Sequence, residues 1–133
     1  MIGHIGINVP DLELARAYYG DLLPRVSFES FVDDTDQFAY MPAGGKRGTF
    51  LFFYPVDSGG SYSRHSTTGL QHLAFMVATR SDVDALHAWA EDRGDEVVHA
   101  PREFPEYPPP YYATFFLDPF GLMIEVVCHH DRA

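Results

Sequence analysis

The chain begins with an alternating pattern that changes to helical spacing after a proline. Within Met1–Val9, polar or small residues, among them His4, alternate with isoleucine and valine, as in a strand with two different faces. Pro10 has no N–H for a ladder hydrogen bond and should end that strand, and Asp11 is a favoured helix N-cap. Apolar residues then recur at helical spacing up to Pro24, which we expect to end the helix.

The same pattern returns in the second half of the chain. The stretch GLQHLAFMV, residues 69–77, predicts a buried strand that contains one histidine, His72. Ser81 followed by Asp84 is typical of a capping box, and an apolar stripe at helical spacing leads to Gly94, a common residue at a helix C-terminus. His4 and His72 therefore occupy equivalent places in two equivalent β-α units.

The remainder of each unit predicts three further strands. In both units a strand, a Pro-x-Gly turn and a second strand follow one another, at 38–54 and 115–128. Additional strands are indicated near 26–31 and 96–99. We therefore predict an α+β fold of two βαβββ modules.

The predicted domain organisation follows from these repeats and from composition. Module 1 spans about 1–57 and module 2 about 69–130 of a single domain, 1–133. Residues 58–68 are polar and rich in glycine and serine, as expected for a linker. Residues 102–112 form a loop rich in proline and tyrosine, and a long loop of this kind often has a function.

Composition and charge exclude several classes of function. The 133 residues have a net charge of −10, with no basic patch of the kind that nucleic-acid binders have and no basic amphipathic helix for a membrane surface. No segment approaches the roughly 18–20 apolar residues of a membrane span. Cys128 is the only cysteine, so we expect no intrachain disulfide and a cytoplasmic location.

Three polar residues stand within otherwise apolar predicted strands. Glu125 lies in the last strand, flanked by apolar residues, and burying such a carboxylate is costly unless it is paired or metal-bound. Together with His4 and His72 it supplies the two imidazoles and one carboxylate that hold a divalent metal and leave coordination positions open. The alternative is that Glu125 pairs with Arg16 or Arg25.

Three motifs make the chain resemble a known family: HIGINVPDLELARAYYGDLL, GLQHLAFMV and FFLDPFGLMIEVV. They resemble those of the vicinal oxygen chelate superfamily, which includes glyoxalases, bleomycin-resistance proteins and extradiol dioxygenases. The resemblance implies an open, cupped mixed sheet with helices on its convex face. It also implies that His4, His72 and Glu125 are the metal ligands, and that the fourth ligand position of glyoxalase I falls within residues 49–54, at Phe52 or a neighbouring residue. Because phenylalanine cannot bind a metal, a three-ligand site is expected.

An apolar substrate pocket is expected beside this metal. Its predicted residues are Asn8, Phe52, Tyr54, Met76, Tyr111, Tyr112 and Phe115. Tyr112 is the predicted proton donor, and ordinary packing of these aromatic side chains is the alternative.

Two functions fit these residues. The first is a lyase, isomerase or dioxygenase that requires a divalent ion (Fe, Zn, Ni, Mn or Co) and acts on a small, mostly apolar or aromatic oxygenated substrate. The second is a metal-independent sequestration protein of the bleomycin-resistance type. The resemblance also implies a homodimer, with the site formed within one chain or shared between two chains.

Overall fold

Each half of the chain folds as a strand, a helix and three further strands, as the repeated sequence pattern predicts. The computed structural model describes residues 1–57 and 60–133. Contacts divide the chain into two units, Met1–Ser61 and Tyr62–Ala133. Of the predicted linker 58–68, Ser58 and Gly59 lie outside the described residues, and the part from Tyr62 onward belongs to the second unit.

The first unit contains one helix and a four-stranded mixed sheet. Its elements are β1 His4–Val9, α1 Leu12–Arg25, β2 Phe28–Asp33, β3 Phe38–Pro42 and β4 Phe50–Pro55. The strand order is β1-β4-β3-β2, with β1 parallel to β4 and the other pairs antiparallel.

The second unit repeats this topology. Its elements are β5 His72–Met76, α2 Arg80–Arg93, β6 Val97–Glu103, β7 Tyr112–Leu117 and β8 Met123–Cys128. The strand order is β5-β8-β7-β6, and β5 is parallel to β8. In both units the first strand lies at the edge of the sheet, beside the last strand.

Each helix packs its apolar side chains against the sheet of its own unit. Helix α1 contacts β2 and β4, with Tyr19 4.5 Å from the ring of Phe53. Helix α2 contacts β6, β7 and β8, with Trp89 6.1 Å from the ring of Phe116. Within the described residues, no helix is both long enough and apolar enough to cross a bilayer.

The ends of the helices confirm some sequence predictions and correct others. Asp11 caps α1 by accepting a hydrogen bond from the Leu14 N–H, and Gly94 ends α2 in the left-handed conformation at φ 82°. Pro24 does not end α1, because its ring fits a helical φ and the helix includes it before ending at Arg25.

The N-terminus of α2 lies two residues earlier than the predicted capping box. Thr79 accepts from the Asp82 N–H, and the Asp82 carboxylate accepts from the Thr79 N–H, so these residues form the box instead of Ser81 and Asp84. Both pairs have the same spacing of three residues. Thr79 is the residue directly before Arg80, where the helix begins, so the pair that starts at Thr79 caps it.

The predicted loop 102–112 is shorter in the structure, because β6 runs on to Glu103 and β7 begins at Tyr112. Two irregularities in the register of β6 against β7, between Val97 and Arg102, allow the strand to continue through Pro101. The segment between these strands, 104–111, therefore connects the edge strand β6 to its neighbour β7.

Candidate functional site

His72 lies on the exposed face of β5. In this edge strand Leu73 and Phe75 are buried, whereas His72, Ala74 and Met76 are exposed, and 39% of the His72 side chain is accessible to solvent. The strand is therefore half-buried, which corrects the prediction of a buried strand. The unbroken run of apolar residues was misleading because only one face of this edge strand is covered.

Glu125 supplies a buried carboxylate next to this histidine. It lies in the interior strand β8, where Ala74 of β5 is its register partner, and only 1% of the residue is exposed. Its Oε1 atom is 3.2 Å from Nε2 of His72. Arg16 and Arg25, the arginines considered as alternative partners, pair with Asp33 and Asp21 instead.

Gln71 fixes the orientation of the His72 ring. Its Oε1 atom lies 2.5 Å from Nδ1 of His72, and because an amide oxygen can only accept, Nδ1 carries the proton of this hydrogen bond. A neutral imidazole then presents its Nε2 lone pair to the Glu125 oxygen. Two electron-rich atoms in contact favour a cation between them, either a proton or a metal ion.

The spacing of these two atoms also fits a shared metal ion. Ligand bonds of about 2.0–2.2 Å that meet at an angle between about 90° and 110° place their donor atoms roughly 3–3.5 Å apart. The observed distance of 3.2 Å falls in this range. The donor set, one imidazole nitrogen and one carboxylate, suits Zn, Fe, Ni, Mn or Co.

Tyr111 provides the second polar contact of the buried carboxylate. Its hydroxyl donates a hydrogen bond to Oε2 of Glu125. Burial, together with the hydrogen bond and the negative charge of Glu125, raises the pKa of the Tyr111 phenol. The phenol therefore remains protonated and keeps donating to the carboxylate even at alkaline pH, where a free tyrosine would ionise.

A cleft of about 670 Å³ in the second unit opens onto these residues. One wall is aromatic: Phe104 lies 5.3 Å from Phe115 and 6.0 Å from Tyr111, measured between ring centroids. The lining residues are Arg64, His65, Gln71, His72, Val98, His99, Arg102, Phe104, Glu106, Tyr107, Tyr111, Phe115, Met123 and Glu125. A cleft with aromatic walls and a few converging polar groups is typical of a small-molecule site.

Of the predicted pocket residues in the second unit, Tyr111 and Phe115 line this cleft. Tyr112 points the other way, because it lies three residues from Phe115 in β7 and so faces the opposite side of the strand, and its hydroxyl donates to Asp84 on α2 at 2.7 Å. The predicted role of proton donor therefore fits the position of Tyr111 better than that of Tyr112. Met76 is 70% exposed on the same face of β5 as His72, and it is not among the lining residues.

The predicted site residues of the first unit lie together on one face of its sheet. His4 and Asn8 are exposed on β1, and the His4 ring is 5.4 Å from Phe52 on β4. Tyr54 stacks beside Phe52, with 6.3 Å between the ring centroids. Phe52 is opposite Gly6 as Glu125 is opposite Ala74, so the register supports Phe52 as the counterpart of Glu125.

The predicted metal triad is divided between the two units, with His72 and Glu125 in one and His4 in the other. Within residues 1–57 and 60–133, no group of three or more histidine, cysteine, aspartate or glutamate side chains is arranged to hold a metal ion. Metal binding by the triad therefore stays a prediction.

Sequence reasoning did not identify several lining residues. Phe104 and Tyr107 lie in the loop that was marked by its prolines and tyrosines, so composition indicated the segment but not its members. His99 lies on β6 and packs on Phe115 at 5.5 Å. The register of β6 against β7 is irregular around His99, so the alternation of residues along the strand does not predict which face this side chain occupies.

Comparisons with known proteins agree with this fold. The family model of the Glyoxalase/Bleomycin resistance protein/Dioxygenase superfamily matches residues 1–126. A protein of Pseudomonas aeruginosa with no assigned function is 30% identical over 122 residues, which cover 92% of this chain and 84% of that protein.

Solved structures of the same type are also similar. A Bacillus halodurans protein assigned to the glyoxalases is 32% identical, with a TM-score of 0.81, and the match covers 96% of this chain and 95% of that one. A lactoylglutathione lyase from Agrobacterium tumefaciens is 21% identical, with a TM-score of 0.66 and coverage of 96% and 92%, a likeness of fold alone. The chain belongs to the Glyoxalase/Bleomycin resistance protein/Dioxygenase superfamily, the family that its motifs resemble.

Proposed function

We propose that this protein is a divalent-metal-dependent enzyme of the lyase, isomerase or dioxygenase type. The observation that carries the proposal is the buried carboxylate of Glu125, whose Oε1 atom lies 3.2 Å from the Nε2 lone pair of His72. A carboxylate in a core is costly unless a charge or hydrogen bonds compensate it. A metal ion bound to both groups supplies that charge.

His72 and Glu125 are two of the proposed ligands, and His4 is the third. Two imidazoles and one carboxylate leave open positions for substrate oxygens, and Phe52 adds no ligand to this set. When bound, a divalent metal in such a site acts as a Lewis acid toward substrate oxygens.

The surrounding residues orient the proposed ligands. Gln71 holds the His72 ring through Nδ1, and Tyr111 holds Oε2 of Glu125. The aromatic wall around Phe104 and Phe115 suits a small, largely apolar or aromatic oxygenated substrate. Tyr111 also holds a proton at the cleft, on the hydroxyl that it donates to Glu125.

The test is metal content. Protein purified without chelating resin should contain about one divalent metal ion per chain, as measured by elemental analysis. His72→Ala and His4→Ala should lose that metal while retaining the circular dichroism spectrum of the wild type. His65→Ala serves as the control, because His65 lines the cleft but is not a proposed ligand. Wild-type protein that takes up no divalent metal would overturn the proposal.

We also propose that the protein acts as a homodimer. Large apolar side chains remain exposed in both units, including Phe31 at 50%, Tyr54 at 38% and Met76 at 70%. Exposed apolar groups of this size are typical of surfaces that a partner covers. Sedimentation velocity should give a mass of two chains, and a single-chain mass at micromolar concentration would contradict the proposal.

Mixing two variants that each lack one proposed ligand determines which chain supplies His4. His4→Ala and Glu125→Gln chains are unfolded together, refolded together and tested for metal content. If His4 comes from the partner, each mixed dimer regains one intact site. If the site lies within one chain, every site retains one defect and metal is not recovered.

A second function is a sequestration protein that binds an aromatic ligand without metal. The aromatic lining of the cleft favours it, since Tyr107 and Tyr111 provide ring surfaces for stacking. Ligand binding that is unchanged in Glu125→Gln and after chelator treatment would support this function instead of the enzyme.

A further inference from the structure

We propose that the cleft of the second unit recognises the carboxylate of a small aromatic acid, and that Arg102, assisted by Arg64, binds it. This inference deepens the proposed function and rests on it, because it specifies the class of substrate that would occupy the same cleft. It starts from the charges of the cleft, in which these two arginines and the carboxylates of Glu106 and Glu125 are present.

The two arginines differ from most other cations of this acidic chain. Arg16, Arg25 and Arg80 pair with aspartate or glutamate side chains at the surface. Arg64 and Arg102 have no carboxylate within ion-pair distance among residues 1–57 and 60–133, although the chain contains 19 aspartates and glutamates. Two guanidinium groups that line one cleft and form no ion pair with its carboxylates are available for an external anion.

Arg102 is held in a conformation that suits binding. Its guanidinium lies over the ring of Phe104 at 3.8 Å from the centroid, and Nη1 donates to the Glu103 carbonyl oxygen at 2.9 Å. Stacking and one backbone hydrogen bond limit its rotamers, so that less side-chain entropy is lost when an anion binds. The other N–H groups of the guanidinium have no acceptor among the described residues and can bind a carboxylate.

The aromatic wall determines the rest of the ligand. Phe104 contacts Arg102 on one side and Phe115 on the other, at 5.3 Å between ring centroids. Both of these rings are buried, whereas Tyr107 lines the same cleft with 46% of its surface exposed, 6.4 Å from Phe104. A planar ring that stacks on Tyr107 would bring a ring carboxylate close to the guanidinium on Phe104. The Glu125 carboxylate is already held by His72 and Tyr111. Glu106 is therefore the remaining carboxylate that could repel an anionic ligand, and the two arginines outnumber it.

The test uses metal-free protein, prepared with a chelator, and two probes of equal shape, benzoate and benzamide. Binding is followed by NMR chemical-shift titration at low ionic strength. Wild-type protein should bind benzoate about tenfold more tightly than benzamide, as expected for a charge-assisted hydrogen bond. In Arg102→Met the preference should fall sharply, and in the double variant Arg64→Met, Arg102→Met it should disappear. Arg132→Met is the control, because it removes one positive charge outside the cleft.

Equal binding of benzoate and benzamide by the wild type would overturn the inference, and so would a preference that survives in the double variant. The result is independent of metal binding. If the wild type shows the Arg102-dependent preference but takes up no metal, the proposed enzyme fails and the anion site stands. If it takes up metal but shows no preference for benzoate, this inference fails and the proposed metal site stands.

Discussion

The Nε2 atom of His72 lies 3.2 Å from Oε1 of Glu125, so an exposed imidazole is joined to a carboxylate that is buried in the interior strand of the sheet. Each atom alone is an acceptor when the imidazole is neutral and protonated at Nδ1. A strand-to-strand contact between two such atoms is stable only if a cation lies between them. The proposed metal site depends on this contact.

Replacement of Glu125 by glutamine tests the contribution of the charge at nearly constant shape. We expect Glu125→Gln to reduce metal affinity by more than the roughly 10–100-fold typical of outer-shell partners, because a ligand itself is changed. Competition with a fluorescent chelator measures this affinity. Glu103→Gln is the control, since that carboxylate is exposed and pairs with Arg80 outside the cleft. Equal affinity in Glu125→Gln and wild type would exclude Glu125 as a ligand.

Removal of one hydroxyl tests the role of Tyr111. Tyr111→Phe keeps the ring but removes the hydrogen bond to Oε2 of Glu125, so metal affinity should fall by about 10–100-fold with little change in secondary structure. Tyr107→Phe is a matched control, because its ring lies 4.8 Å from Tyr111 and it is 46% exposed. A loss of equal size in both variants would mean that ring packing, not the hydrogen bond, holds the carboxylate.

The sequence predicted the architecture well, because periodicity and repeated spacing report on local structure. His4 and His72 begin the first strand of each unit, and Asp11 and Gly94 bound the helices as expected. The direction of each side chain depends on which face of the sheet is covered. Tyr112 was therefore assigned to a pocket although it points to the helix.

The composition of the cleft was less predictable, because its residues come from separate segments of the second unit. Arg64, His99 and Phe104 line one cleft although no local pattern connects them. The Glu125–Tyr111 hydrogen bond joins β8 to a loop 14 residues away. The register of β7 and β8 pairs Glu125 with Phe115, and the Tyr111 side chain reaches the carboxylate from the preceding loop, an arrangement that depends on tertiary packing.

The corrected N-terminus of α2 makes a prediction about stability. Thr79→Ala removes the side chain that accepts from the Asp82 N–H and should lower the free energy of unfolding by about 1 kcal/mol. Ser81→Ala is the comparison, since Ser81 lies inside the helix and should cost less. Urea denaturation measures both values. A larger loss for Ser81→Ala than for Thr79→Ala would restore the cap predicted from the sequence.

The hydrogen bond from Tyr112 to Asp84 makes a prediction about alkaline pH. That bond, together with burial, raises the pKa of Tyr112 from 10.0 to about 12. The folded state thus keeps a proton that the unfolded state loses, and the resulting stabilisation is fully present below pH 10 and is lost as the pH rises toward about 12.

The measurement is the difference in free energy of unfolding between the wild type and Tyr112→Phe. We expect this difference to be constant between pH 7 and pH 9. Above pH 10 the wild type should lose stability relative to Tyr112→Phe. Parallel curves for the two proteins across the whole pH range would contradict the raised pKa.

Anomalous diffraction from crystals of the metal-loaded protein, recorded on both sides of the metal's absorption edge, tests the central claim most directly. We predict one anomalous peak per chain, within about 2.3 Å of both Nε2 of His72 and a carboxylate oxygen of Glu125. The third ligand should be His4, from either the same chain or its partner. A peak located away from Glu125, or crystals of metal-soaked protein with no peak at His72, would contradict the account.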